Sequence, residues 1–347
     1  MSPATIRIAL DAMGGDRAPL PEVVGAVEAF RRYGVHTVLV GDEARLRHEL
    51  ARLKFEGEGI SVVHAEEVVT MDDPPMAPIR KKRKSSLRIA AELVKAGEAQ
   101  GLVSAGNTGA IMAAAKLVVG GIEEVERPAL ATWIPKKGGV CLLLDVGANS
   151  DCKASHLLQF AIMGSIFSSQ VTGNPQPTVG LLSIGEEEMK GNDLTKEVFK
   201  LLQQSHMNFV GNVEGHDLFH GQADVIVTDG FTGNVVLKTG ESVYEYIAGM
   251  LREGFKRSVS AKLGYLLSRS VFEEMKSKMD YAEYGGALLL GVKAVTIICH
   301  GRSQPKAIMN ALRLARDFCL AGLNQRIAEQ IRSKMKDTPN GKKSVAN

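Results

Sequence analysis

Six short stretches bring together the residue types that can hold and polarise an anion. They are "DAMGGD" (11–16), "PIRKKRKSS" (78–86), "SAGNTGA" (104–110), "DVGAN" (145–149), "IGEEEMKGND" (184–193) and "TDGFTGN" (228–234). In the first, Asp11 and Asp16 flank Gly14 and Gly15, a step that lets backbone amides approach an anion or simply turns the chain. In the third, Asn107 and Thr108 lie between Gly106 and Gly109 at an expected helix start. Exposed amides, a hydroxyl and a carboxamide there would cradle a phosphate or an oxyanion, and the same residues would equally serve as a cap that needs no ligand. Lys190 sits in a glycine-bounded loop beside Glu186, Glu187 and Glu188, where it can neutralise a phosphate or belong to a solvated charged loop. Asn192 follows it, and Asn149 closes the loop that begins at Asp145. Asp229, Gly233 and Asn234 repeat the design of strand end, polar turn and helix start, with Asp229 either orienting a substrate hydroxyl or Lys190, or capping the helix.

Five consecutive cations, Arg80, Lys81, Lys82, Arg83 and Lys84, stand in front of Ser85 and Ser86. A compact dianion suits such a set of donors, and a solvated face explains it as well. Nucleic acid ranks third, because a chain with 5% aromatic residues and a formal net charge of +3 lacks stacking platforms and a broad positive excess. The first loop lacks G-x-G-x-x-G, no P-loop occurs, and no serine sits in G-x-S-x-G. Cys141, Cys152, Cys299 and Cys319 form no CxxC pair and no metal-like spacing with histidine, so neither a disulfide framework nor a metal site is expected. Lone histidines such as His156 and His216 read as structural or exposed.

The elements that must position these loops follow from apolar patterning. "IRIALDA", "TVLVGD", "ISVVHA", "GLVSAG", "ALATWIP", "VCLLLDVG", "TVGLLSI", "NFVGNV" and "ADVIVTD" read as strands with helices between most of them, the mark of parallel βαβ units in a doubly wound α/β sheet. Ligands bind outside the carboxyl ends of such strands, so the loops at 11–16, 104–109, 145–149, 185–192 and 229–234 are expected to face one crevice. From about Gly240 the pattern becomes helical and breaks at Ser258 to Ala261, which predicts two helices. "YGGALLLGVKAVTIICHG" reads as a pair of strands, and one closing helix begins near Pro305. The last dozen residues read as disordered. At 347 residues and 45% hydrophobic, the chain can bury one large core over residues 1–335. No signal peptide and no apolar run long enough to cross a membrane is expected.

In order along the chain, "RIALDAMGGD", "RKKRKSS", "LVSAGNTGA", "ERPALATWIP", "LLLDVGAN", "VGLLSIGEEEMKGN", "FVGNVEGHD", "ADVIVTDGFTGNVVLKTGE" and "YGGALLLGVKAV" resemble the acyl-acyl-carrier-protein:phosphate acyltransferases of bacterial phospholipid synthesis (PlsX). One departure is Pro78, where the family would lead one to expect a small residue. The resemblance implies a Rossmann-like three-layer α/β/α fold similar to phosphate acetyltransferases and to isocitrate and isopropylmalate dehydrogenases, usually dimeric. It implies transfer of a long acyl group from acyl carrier protein to inorganic phosphate, with no cofactor, and use of the product by a glycerol-3-phosphate acyltransferase. It also implies a cytoplasmic enzyme attached peripherally to the inner face of the membrane through a helical region. That region falls on 243–280, where Lys256, Arg257, Lys262 and Arg269 would meet anionic lipid while Leu263, Leu266 and Leu267 insert or pack on the partner subunit. On this reading Lys190 and one or more of Arg80 to Lys84 hold phosphate, Asn107 and Thr108 face the thioester oxygen, and Asn192, Asp229 and Asn234 position them. The rivals are a short-chain phosphate acetyltransferase or dehydrogenase on the same fold, and a non-catalytic membrane scaffold.

Overall fold

The computed structural model describes residues 5–273 and 285–336. Eleven strands form a single sheet: β1 (Arg7–Asp11), β2 (His36–Gly41), β3 (Ile60–His64), β4 (Gly101–Ser104), β5 (Ala129–Lys136), β6 (Gly139–Leu144), β7 (Thr178–Leu182), β8 (Asn208–Val213), β9 (Val225–Val227), β10 (Ala287–Leu290) and β11 (Val295–Ile298). Their order across the sheet is β3-β2-β1-β4-β11-β10-β5-β6-β9-β7-β8. All nine stretches read as single strands form strands, and the glycine-bounded pair forms the antiparallel β10–β11 hairpin.

Side chains alternate between the faces, as strand geometry requires. Ile8 and Leu10 join one core with Phe160, Phe167, Ile308 and Leu312 from the helices at 154–172 and 305–320, whereas Ala9 between them points to the other. That second core holds Leu87 and Ala90 of the helix at 86–95 and Ile111 and Ala115 from the helical stretch at 108–119. Helices therefore cover both faces of a mostly parallel sheet, a three-layer α/β/α sandwich.

The sheet is not parallel throughout. β5 turns straight into antiparallel β6, with Gly138 at φ +85°, and β10 runs antiparallel to both β11 and β5. Three reversals leave β6, β9, β7 and β8 running opposite to β1, β2, β3, β4 and β11. The pairings Ser104↔Ile298, Ile298↔Ala287, Leu288↔Ala131 and Ala131↔Leu144 bring the ends of β4 and β6 to nearly the same row, approached from opposite directions.

The helical pattern after Gly240 belongs to a helix that begins earlier, at Gly230, and runs to Lys256. A second follows at Val259–Leu267, and the break falls at Ser258, whose hydroxyl caps the second helix by accepting from the Ala261 amide (3.1 Å). The closing helix is two helices, Pro305–Leu320 and Leu323–Lys336, because Gly322 at φ +64° ends the first turn of chain and redirects the second. Residues 337–347 of the expected disordered tail and 274–280 of the expected membrane-facing region lie outside the described residues, and Lys336, the first of that tail, closes the last helix. No described helix is long and apolar enough to cross a membrane.

Candidate functional site

The loops after the strands form two groups, one leaving β1 and β4 and one leaving β6 and β9 in the opposite sense, and the paired rows start both from nearly the same level of the sheet. In the first group the loops after β1 and β4 touch backbone to backbone. A methyl added at Gly14 would lie 2.7 Å from Asp11 Oδ2 and 2.9 Å from Gly106 Cα, so this glycine is a packing requirement. Asp11 is buried and accepts from Ser104 Oγ (2.7 Å) and the Met13 amide (3.3 Å). Burial pushes its pKa up, while the Ser86 and Ser104 hydroxyls and the Met13 amide pull it back. Of the two hydroxyls only Ser104 makes a hydrogen bond of good geometry, Ser86 Oγ being buried without one. Glu22, in the first turn of the helix at 20–33, is 1% exposed beneath Gly15 with Oε2 unpartnered. Burial first, then the negative charge of Asp11 and Asp16, pushes its pKa to about 7 against the pull of the Glu22 and Gly15 amides.

Asn107 caps the helix at 108–114 by accepting from the Ala110 amide (3.0 Å), while its Nδ2 donates to the carbonyls of Met71 and Asp73 (3.0 Å each). Both ends of the carboxamide are thus engaged in holding the 70–73 loop, and Thr108 next to it stays exposed. Gly109 leaves room for Pro75, whose ring an added methyl would meet at 2.7 Å.

The basic run splits. Lys82 Nζ pairs with Asp73 (2.6 Å) and donates to the Val68 carbonyl (3.1 Å), and Lys84 Nζ pairs with Glu66 (2.9 Å). Arg80, Lys81 and Arg83 are exposed and make no ion pair among the described residues. Pro78 sits in the first turn of a short helix, Ala77–Lys81, where its missing amide hydrogen is not needed. Ser85 and Ser86 are buried.

The second group is built on Asp145. Its carboxylate is fully buried and accepts five hydrogen bonds, from the amides of Leu130, Gly147, Ala148 and Asn149 and from Asn149 Nδ2, at 2.7–3.2 Å. Burial raises its pKa, and these donors oppose the rise. Asn149 also donates to the Pro128 carbonyl (2.8 Å). The helix at 230–256 starts against this loop. A methyl at Gly233 would come 1.9 Å from the Asp145 carbonyl oxygen, and Asn234 packs on Gly147. Asp229 caps this helix, accepting from the amide and hydroxyl of Thr232 (2.9 and 2.7 Å). Asn192 caps the helix at 193–203 through the Thr195 amide (2.9 Å). Asn192 and Asp229 share an open groove of about 500 Å³ with the Ser150–Cys152 turn, Leu194, Phe231 and Thr232. Lys190 is exposed in the preceding loop, with its amide bonded to the Glu187 carbonyl (3.0 Å), and does not line the groove.

The long helix bridges the groups. Beyond Asn234, its Val236 and Leu237 pack on the second core, Glu245 lies 3.7 Å from Arg302, and Lys238 and Arg302 help burial to hold the His300 pKa below its usual value.

The family profile described as "Fatty acid synthesis protein" matches residues 6–326. A protein of Trichlorobacter lovleyi named "Phosphate acyltransferase" is 52% identical over 326 residues, 94% of each chain, and one of Geobacter sulfurreducens with the same name is 50% identical with the same coverage. The chain belongs to this family of phosphate acyltransferases. Among solved structures, a phosphotransacetylase from Streptococcus pyogenes superposes with a TM-score of 0.61 at 15% identity, covering 91% of this chain and 94% of that one, a likeness of fold.

In this family member, sequence reasoning missed Glu22, Ser104 and the groove wall formed by Ser150, Cys152, Leu194 and Phe231. The acid at the third helical position after "APLP" was a local signal for Glu22. The groove had none, because three separate elements supply it.

Proposed function

We propose that the chain transfers a long acyl group from acyl carrier protein to inorganic phosphate, giving an acyl phosphate that a glycerol-3-phosphate acyltransferase then uses for phosphatidic acid synthesis. The observation that carries this reading is the 52% identity, across nearly the whole length, to a protein named phosphate acyltransferase. A phosphate oxygen attacks the thioester carbonyl carbon, the tetrahedral oxyanion collapses, the C–S bond breaks, and the thiolate leaves with the electron pair. Phosphate is already an anion and the thiolate a good leaving group, so the protein has chiefly to position and to stabilise charge.

Direct attack without an acyl-enzyme is supported by the cysteines. Burial pushes Cys152 up to about 11 and Cys141, Cys299 and Cys319 up to about 12, so none is an activated thiolate at neutral pH. In this mechanism Lys190 and Arg80, both exposed without an ion pair among the described residues, hold phosphate. Thr108 and the adjoining amides face the thioester oxygen, with Asn107 as the strap that fixes them. Acyl phosphate formation from acyl carrier protein and phosphate tests the reading. Lys190→Ala and Arg80→Ala are expected to raise the KM for phosphate, and near-normal activity in both would remove these two residues from the mechanism.

The helical hairpin of residues 230–267 supports peripheral attachment at the inner face of the membrane and homodimer formation. Leu263, Leu266 and Leu267 are exposed, the last by 78%, beside exposed Lys256 and Arg257, while Phe255, Tyr265 and Phe272 knit the hairpin with ring centroids 5.0–5.4 Å apart. Sedimentation with anionic vesicles should weaken in Leu266→Asp, and a wild-type protein that stays in the supernatant would refute the membrane part.

A further inference from the structure

The groove at Asn192 and Asp229 has the wrong charge for phosphate. Asp151 and Asp229 line it, and no lysine or arginine does. Arg127, outside the lining, donates to the Asp151 carbonyl from behind the turn (3.3 Å). The Asp229 carboxylate also accepts the Thr232 amide at the start of helix 230–256, a donor that an incoming anion would otherwise use. Two carboxylates lining one groove repel a dianion.

What the groove does offer suits a neutral chain carrying amides. Asp151 and Asp229 present carboxylate acceptors. Asn192 spends its oxygen on the Thr195 amide, and its Nδ2 has no partner among the described residues, leaving a donor. Phe231 is 66% exposed in the first turn of its helix, opposite Leu194, which gives methylene groups an apolar floor. The volume of about 500 Å³ falls within the range of small-molecule sites. We propose that this groove binds the pantetheine arm of the acyl donor, whose amides and short methylene segments match these groups, and that phosphate binds elsewhere. The inference rests on the acyl-transfer reading above and adds the donor's subsite to it. The arm is common to carrier protein and coenzyme A.

Two variants test it. Phe231→Ala removes an exposed ring without opening the core, and Asn192→Ser keeps an efficient helix cap while deleting the Nδ2 donor and adding no charge near Lys190. Each is assayed with acyl-acyl carrier protein, acyl-coenzyme A and a truncated acyl-pantetheine, and its thermal melting is compared with wild type. The expected result is a donor KM raised by about tenfold for all three donors, the scale of one lost hydrogen bond or packed ring, with the phosphate KM unchanged. A rise in the phosphate KM, an unchanged donor KM, or a defect confined to the carrier-protein donor would overturn the assignment. Wild-type protein forming acyl phosphate from none of the donors would refute the acyl-transfer reading instead. Calorimetric titration with acyl-pantetheine then judges the groove alone: binding weakened in both variants supports it, and binding that is absent or unaffected overturns it.

Discussion

Replacing Glu22 by glutamine should stabilise the protein at neutral and alkaline pH and flatten its dependence of stability on pH. The side chain is 1% exposed, its Oε2 has no partner, and Asp11 and Asp16 add negative charge, so the ionised form is the disfavoured one. The folded-state pKa of about 7 exceeds the ordinary 4.5 expected of the unfolded chain. Between those values the native state holds a proton that the unfolded state has released, and stability falls as pH rises. The loss begins near pH 4.5 and is complete above about pH 7. At 1.36 kcal/mol for each factor of ten, the interval amounts to about 3 kcal/mol. Glutamine keeps an acceptor for the Gly15 and Glu22 amides and carries no charge. Denaturant unfolding at pH 5 and pH 8 reads most of the effect: the wild type should lose about 2.5 kcal/mol more between the two than Glu22→Gln does. The residual slope in the variant will come from other buried acids, Asp11 and Asp145, whose pKa values are also raised. Equal slopes in the two proteins, or a variant less stable than wild type at pH 8, would refute the reasoning.

Asp145→Asn can keep an oxygen at the Oδ1 position for the Leu130, Gly147 and Ala148 amides, but then turns an NH2 towards the Asn149 amide and Nδ2 donors that Oδ2 accepts, and should cost about 2–4 kcal/mol, read by denaturant unfolding. Gly233→Ala would push a methyl to 1.9 Å from the Asp145 carbonyl, so a destabilisation of about 3 kcal/mol, or failure to yield folded protein, is expected by circular dichroism. Lys82→Ala should loosen the 66–73 segment and raise its amide hydrogen exchange, because the Asp73 ion pair and the Val68 contact both go, whereas Lys81→Ala should leave exchange there unchanged.

The strand series was legible because each strand is a short apolar run ended by a glycine or polar turn, and the helix break at Ser258 because a serine with a helix-starting pattern behind it marks a cap. Strand direction was not legible in the same way. Apolar runs buried on both faces look alike whether their neighbours run with them or against them. The turn between β5 and β6 did carry a local signal, since "KKGGV" between two strand patterns leaves only Lys137 and Gly138 to connect them, far too short for a crossover. Following that signal would have shown that the loops after β1 and β4 and those after β6 and β9 leave strands of opposite sense. A shared crevice does not require one sense, because the rows that pair Asp11 with Ser104 and Leu144 with Val227 set these strand ends at nearly one level from either side. The helix from Gly230 links the two groups further, starting against Asn149 and Asp145 and carrying Glu245 to Arg302.

The cationic run shows the limit of reading charge in sequence. Five adjacent cations look equivalent there, yet the chain places Glu66 and Asp73 where only Lys84 and Lys82 can reach them. These two lysines tie down the segment that Asn107 grips from the other side through the carbonyls of Met71 and Asp73. Part of what resembled an anion site is thus the scaffold of the loop after β4, and charge available to a ligand is confined to Arg80, Lys81 and Arg83. The same division runs through the polar loops. Asn107, Asn192 and Asp229 each commit a side-chain oxygen to a helix cap, so capping and ligand binding are not alternatives at these positions. A cap fixes the rotamer and leaves a second polar atom pointing in a set direction. Of these three, only Asn192 leaves that second atom unengaged among the described residues, and this is the donor that the proposed pantetheine groove would use.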